Sequence, residues 1–191
     1  LVQWVNNGVA VCNANALQTA QQMISDGAGG AIIIWEDRRT ERDIYAQRLN
    51  NTGTVQWIAN GIPVCNATGT QTDPQLVARV SGGATIVWTD LRNSSQADIY
   101  AQAITLNGLE LWISNGVPVA NETHSQSVPQ LIPDAADGAI IAWMDLRTTI
   151  DYDIYSSRLA ANGTLPVKLI SFSANLQNKN AVLHWQTADE R

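Results

Sequence analysis

Three segments of this chain read alike: Trp35 to Leu49 is WEDRRTERDIYAQRL, Trp88 to Ile104 is WTDLRNSSQADIYAQAI, and Trp143 to Leu159 is WMDLRTTIDYDIYSSRL. In each, Trp is followed by Asp two positions on and Arg four positions on, then a polar loop, then Asp-Ile-Tyr. Such a repeat restricts the fold to architectures that stack one supersecondary unit on its like. The match extends outward. Trp4, Trp57 and Trp112 recur at intervals of 53 and 55 residues, each four positions before Gly8, Gly61 or Gly116. Gln22, Gln75 and Gln130 stand 13 residues before the motif's Trp, and Gly53, Gly108 and Gly163 stand 8 residues after its Tyr. The difference in period falls wholly in the polar loop, which is 40–42, 93–97 and 148–152 in the three copies.

Within one repeat every apolar segment has strand character. Met23 to Ser25 and its copies form a short strand, entered through Pro74 and Pro129 in two of the three. Gly- and Asp-rich turns follow, at 26–30, 81–83 and 134–138, and their residues tolerate positive φ. Ala31 to Trp35, Ala84 to Trp88 and Ala139 to Trp143 are continuous apolar runs, which predicts strands buried on both faces. Ile44 to Leu49, Val55 to Trp57 and Ile62 to Cys65 complete the unit, with a bend at Asn60-Gly61. The fold class is therefore all-β: three tandem four-stranded blades of β-propeller type, spanning 1–53, 54–108 and 109–163, then a β-hairpin tail at 164–191. Tandem β-sandwich units are the alternative. Leu1-Val2-Gln3-Trp4 aligns with Thr54-Val55-Gln56-Trp57, so the chain is expected to open in mid-repeat, as a piece of something longer.

Composition narrows the partners. Charged residues are 15% of the chain and the formal net charge is −6, with Lys168 and Lys179 the only lysines, so a phosphate-binding surface is not expected and nucleic acid is excluded as a partner. No apolar run approaches the roughly 20 residues of a membrane helix, and membrane insertion is not expected. Propellers close with about 4 to 8 blades, so three blades need company. Either a longer chain supplies further blades or copies self-associate through exposed blade faces and the 164–191 tail, as a ring or a filament. Surface glycans or proteins are the other partners such loops suit.

The recurrent charged and aromatic set is Trp35, Asp37, Arg39, Asp43 and Tyr45, then Trp88, Asp90, Arg92, Asp98 and Tyr100, then Trp143, Asp145, Arg147, Asp153 and Tyr155. Recurrence marks it as structural: Arg is expected to bridge the two carboxylates and fix the hairpin end, and Trp to pack in the core. Calcium is the alternative, with Asp145, Asp151 and Asp153 as the ligands, although the interposed Arg is a poor neighbour for a cation. Residues that break the repeat are where catalysis would appear, and Glu122 with His124 is the one acid/base pairing available. There is no phosphate loop, nucleophile elbow or zinc spacing, so no cofactor and no enzyme activity is expected. Cys12 and Cys65 occupy equivalent positions, with Ala120 in the third copy; sheets stack about 10 Å apart, beyond disulfide reach, so both are expected as free core thiols. Sequons at Asn50, Asn66, Asn93, Asn121 and Asn162 permit glycosylation.

The DIYAQRLN-type units resemble the repeats of large secreted Bacteroidota proteins. The stretch carrying Leu165-Pro166-Val167, Leu169, Phe172, Ala174, Leu183, Trp185 and Thr187 to Glu190 resembles the lead-in to a type IX secretion C-terminal sorting domain. The resemblance implies export and a secreted, extracellular or cell-surface life. It implies no active site. The expected function is a non-enzymatic structural or binding scaffold, with a glycan-binding module or a fragment of a carbohydrate-active propeller enzyme as the alternative.

Overall fold

The structure is a computed structural model and describes residues 4–93, 96–165 and the strands Lys168–Gln177 and Asn180–Ala188. The described residues contain thirteen strands and no helix, hence none long and apolar enough to cross a membrane. Strands β1 (Gln18–Ser25), β2 (Ala31–Asp37), β3 (Asp43–Leu49) and β4 (Ile62–Cys65) form one antiparallel meander. Strands β5 (Gln71–Ala78), β6 (Ala84–Asp90), β7 (Asp98–Ile104) and β8 (Val117–Ala120) repeat it. Strands β9 (Gln126–Pro133), β10 (Ala139–Asp145) and β11 (Asp153–Leu159) form a third sheet of three strands. The hairpin of β12 (Lys168–Gln177) and β13 (Asn180–Ala188) is a two-stranded sheet of its own.

The sheets run out of phase with a repeat counted from Leu1, because each closes with a strand that follows the next Trp-x₃-Gly turn. The register explains the third sheet. Residues 172–175 hold the fourth-strand position, and in this sheet they lie within β12, which pairs with β13 instead of β11.

Two strands differ from the sequence expectation. The first strand starts at Gln18 and not at Met23, because a bulge between Thr19 and Gln22 carries the chain past its irregular point. Ala20, Asp73 and Val128 sit at that bulge with φ of 53–54°, and the prolines that follow two of them need no ladder partner there. Val55 to Trp57 is not a strand. It makes a single bridge, Leu49↔Val55, after which the buried Gln47 side chain accepts the Trp57 amide at 3.0 Å in place of a ladder bond.

Stacking decides burial. Alternate residues of a strand face opposite ways, so each sheet has an aliphatic face and a Trp face. Ile32, Ile34, Ile44 and Ala46 of the first sheet pack against Ile86, Trp88 and Tyr100 of the second. Val87, Ile99 and Ala101 on the second sheet's other side pack against Ile141, Trp143 and Leu159 of the third. The middle strands β6 and β7 are therefore buried at every residue. In β10 the expectation of two buried faces fails, because nothing among the described residues lies on its outer side: Ile140 is 43% exposed and burial alternates along the strand.

Ile99 and Ile154 hold the same position in β7 and β11, at 0% and 74% exposure. Ile99→Ala is expected to cost about 2–5 kcal/mol of stability and Ile154→Ala less than about 0.5 kcal/mol. Denaturant unfolding of both variants in dilute solution checks this; equal losses would show that the third sheet is covered as the second is.

Candidate functional site: a clamp repeated at each sheet

The motif residues meet at the end of the β2–β3 hairpin. Trp35 and Asp37 are two apart on β2 and so share a face, and the ladder sets them opposite Tyr45 and Asp43. The buried indole Nε1 donates to Asp37 Oδ2 at 2.8 Å. Arg39 folds back from the loop. Its backbone N and Nε donate to Asp37 Oδ1 at 3.0 and 2.9 Å, and Nη2 donates to Oδ2 at 2.7 Å. The guanidinium carbon lies 4.0 Å above the Tyr45 ring centre, and Nη2 also donates to the Asn60 carbonyl at 2.8 Å. One planar cation thus answers a buried carboxylate, an aromatic face and a bend carbonyl.

The second copy matches closely. Trp88 Nε1 donates to Asp90 at 2.7 Å, Arg92 holds the same carboxylate at 2.7–2.9 Å, and its guanidinium sits 3.8 Å over Tyr100. In the third copy Trp143 and Arg147 hold Asp145 at 2.6–2.9 Å, and Arg147 sits 3.8 Å over Tyr155. Arg147 Nε, however, has no partner among the described residues. The expectation that Arg bridges both carboxylates needs correction. Of the two carboxylates it bonds only the first, because stacking on Tyr fixes its plane, and the second carboxylate is served by the loop: Thr40 Oγ1 donates to Asp43 at 2.6 Å and Asn93 Nδ2 to Asp98 at 3.1 Å.

Burial pushes the Asp37 and Asp145 carboxyls up, but hydrogen bonds from Arg and Trp outweigh it and hold both below the ordinary value, Asp145 at about 2. Asp43 and Asp98 are raised, chiefly by burial. Cys12 and Cys65 carry free thiols, each 3.9 Å from the Asp of the next clamp, and burial pushes the Cys65 thiol to about 12. Each sulfur also accepts from the clamp's Arg, Cys12 from Arg39 Nη2 at 3.5 Å and Cys65 from Arg92 Nη2 at 3.4 Å, so the two thiols belong to the clamp's polar network.

The other sequence candidates are scattered. Trp35, Trp88 and Trp143 are 0–5% exposed, as core residues are. Among the described residues no three carboxylate, His or Cys side chains gather as a metal site; Asp145 is held by Arg147, while Asp151 and Asp153 are exposed. His124 takes the left-handed conformation (φ 69°) that Gly69 has in the previous copy, donates its amide to Gln96 Oε1 at 2.9 Å, and has no hydrogen bond to the exposed Glu122. Asn50 and Asn162 use their side-chain oxygens to cap their own turns, whereas Asn66 and Asn121 are exposed. Two recurrent features escaped the sequence reading. Gln47 and Gln102, both fully buried, each donate to a turn carbonyl and accept the amide before it, and Asn60 and Asn115 accept the Asn13 and Asn66 amides at 2.9 Å. The signal was there in the recurring Tyr-Ala-Gln and Asn-Gly pairs.

No protein-family profile and no curated protein matches the chain. Among solved structures it is similar to an endo-arabinase from Bacteroides thetaiotaomicron, with 14% identity and a TM-score of 0.46 over 90% of this chain and 75% of that one.

Acid should loosen the clamp. Asp26, Asp37, Asp134, Asp137 and Asp145 sit below their ordinary value, so their contribution is complete above about pH 4 and is lost as pH falls towards about 2, the folded value for Asp145. Asp43 and Asp98 are shifted upward and offset part of that loss, since their protonated forms suit the fold. Thermal melts from pH 6 to about pH 2 should show falling stability. Asp145→Asn should lower stability at pH 6 and flatten the decline; an equally steep decline would separate Asp145 from acid sensitivity.

Proposed function

We propose that this chain is a non-enzymatic scaffold of a secreted or cell-surface protein, in which the stacked sheets serve as β-propeller-like blades and the loops as a contact surface for glycans or proteins. One observation carries the reading. The most deeply buried carboxylates, Asp37, Asp90 and Asp145, are each 0% exposed and each closed by its own Trp and Arg. A carboxylate whose oxygens are already occupied holds a fold together and does not move protons. The side chains whose type has no counterpart in the other copies, Glu122 and His124, and the loop residue Asp151 form no hydrogen-bonded constellation with one another among the described residues. The likeness of the DIYAQRLN units and of the 165–190 segment to secreted Bacteroidota repeat proteins supports the extracellular assignment.

The test is an assay of reducing-end release from a panel of polysaccharides, arabinan included, by the wild-type chain and by a Glu122→Gln/His124→Ala variant. Neither protein is expected to release product above the blank. Turnover by the wild type that the variant loses would overturn the scaffold reading in favour of a carbohydrate-active site.

A further inference from the structure

Both junctions between consecutive sheets are assembled from the same parts. The aliphatic face of the earlier sheet covers the Trp face of the later one. A backbone latch crosses between them: Gln71 N donates to Arg42 O at 2.7 Å, and Gln126 N to Ala97 O at 2.6 Å. A loop side chain caps the amide that enters the next sheet: Glu41 Oε2 accepts from Gly69 at 2.6 Å, and Gln96 Oε1 from His124 at 2.9 Å. At the rim of the first junction Arg48 Nη1 reaches Leu106 O at 3.3 Å; at the second, where Ala103 replaces Arg48, Arg79 Nη2 reaches the equivalent Ala161 O at 3.3 Å.

Two halves of a further junction are present and unmatched. The third sheet shows Ile132, Ile140 and Ile154 at 59%, 43% and 74% exposure, where the first sheet's equivalents Ile32 and Ile44 are at 0%. Among the described residues the β11 edge pairs with nothing beyond β10. Arg158, bonded to Asp134 as Arg48 is to Asp26, has a side chain 60% exposed against 18% for Arg48. The other half is Val9–Cys12, which by register is a fourth strand like Ile62–Cys65. It is already placed as one. Trp4 Nε1 donates to Asn51 O at 3.0 Å, as Trp57 does to Leu106 O at 3.1 Å, and Asn13 N meets Asn60 as Asn66 N meets Asn115. Val9, Val11 and Cys12 lie on Ile33 and Trp35, but no strand among the described residues pairs with them. Beside them a hollow of about 390 Å³ opens between Val11, Cys12, Met23, Ile33 and Trp35, on the face that receives aliphatic side chains at both internal junctions.

We propose that the third sheet binds a second copy of this chain head to tail, taking that copy's Val9–Cys12 as its fourth strand. The internal register Ile44↔Cys65, Tyr45↔Pro63, Ala46↔Ile62 sets the new one: Ile154 faces Cys12, Tyr155 faces Ala10 and Ser156 faces Val9 of the second copy. Ile132 and Ile140 enter the hollow. Tyr152 O stands where Arg42 O and Ala97 O stand and accepts the Gln18 amide. Asp151 stands where Glu41 and Gln96 stand and caps the amide of Ala16, whose φ of 120° is positive like those of Gly69 and His124. Arg158 reaches Asn51 O, as Arg48 reaches Leu106 O. Main-chain pairing supplies affinity and the alternate side chains supply register, as in other strand additions. The contact is heterologous, so it propagates as a ring or a filament.

The inference rests on the scaffold reading, and its test is separate from turnover. Sedimentation velocity of the 191-residue chain from micromolar to submillimolar concentration should show mass rising in whole multiples of the monomer. Ile154→Asp should weaken association about tenfold or more, because it sets a carboxylate in an apolar contact, while its melt stays near the wild type. Facing residues of an antiparallel pair have Cα atoms about 4.5–5.5 Å apart, within disulfide reach, so Ile154→Cys under mild oxidation should give a covalent ladder that Cys12→Ser abolishes. A chain that stays monomeric throughout, or oligomers indifferent to Ile154→Asp with no ladder from Ile154→Cys, would overturn the proposal. Polysaccharide turnover would sink the scaffold reading and leave the ladder result standing on its own.

Discussion

A buried indole needs an acceptor for its N–H, and much of this architecture follows from meeting that need three times. Trp88 and Trp143 supply the large apolar surface that fastens one sheet to the next, and Trp35 packs on Val9–Cys12, but each carries a donor into a region without water. The acceptor two residues along the strand is a carboxylate, Asp37, Asp90 or Asp145, fully buried in its turn. A buried carboxylate is tolerable only if it is paired and its remaining oxygen positions are filled, which Arg does with its planar fork. Arg in turn is held flat by the Tyr opposite the Trp. The order Trp-x-Asp-x-Arg followed by Asp-Ile-Tyr is this chain of requirements written along a strand, a loop and the returning strand.

That closure explains why the loop alone varies in length. Trp, Asp and Arg of the clamp all precede the loop, and its Tyr is set opposite the Trp by the ladder, so extra residues within the loop disturb nothing already fixed. What the loop must still do is satisfy the second carboxylate and offer an acceptor to the next sheet. Different residues meet each demand, Thr40 or Asn93 for the first and Glu41 or Gln96 for the second. Sequence freedom and structural constraint sit a few residues apart, and the constrained side faces the junction.

The sheet-forming hairpins were legible because a repeat multiplies a weak signal: apolar runs ending in Trp, followed by Asp-Ile-Tyr, hold their register in all three copies. The long first strand was harder to see, since Pro74 and Pro129 argue for a strand start and only the bulge makes room for them. Val55 to Trp57 misled in the opposite way. Val55 is exposed, and Trp57 is half-buried by packing against the next unit's turn, where Gly108 leaves no room for a Cβ, and not by lying in a ladder. The clamp residues were recognised as a set, yet the Arg–Asp partnership was half wrong, because spacing does not reveal that the Tyr ring fixes the guanidinium plane. Asp151 was read as a calcium candidate of the third loop. By position it is a member of the repeat, equivalent to Glu41 and Gln96, and the differing side-chain types hid the shared acceptor.

A stack built this way has no self-limiting end. Each sheet buries its Trp face on an aliphatic face and then offers an aliphatic face of its own, so satisfying one junction recreates the demand for the next. In the first two sheets that demand is met by the following unit, and the same aliphatic positions fall from 74% exposure at Ile154 to 0% at Ile44 and Ile99. An outer face bearing Ile132 opposite Ile140, with Ile154 further along opposite Met144, is not masked by the devices that usually blunt a sheet, since β11 has no bulge and no proline, and Arg158, turned towards Asp134, is the sole charge between its end residues. A monomeric sheet would be expected to carry lysine or proline at such an edge. This one keeps the residues of an interior junction, and Val9–Cys12, the equivalent of the fourth strand Ile62–Cys65, sits folded against the first sheet's Trp face and pairs with no strand among the described residues.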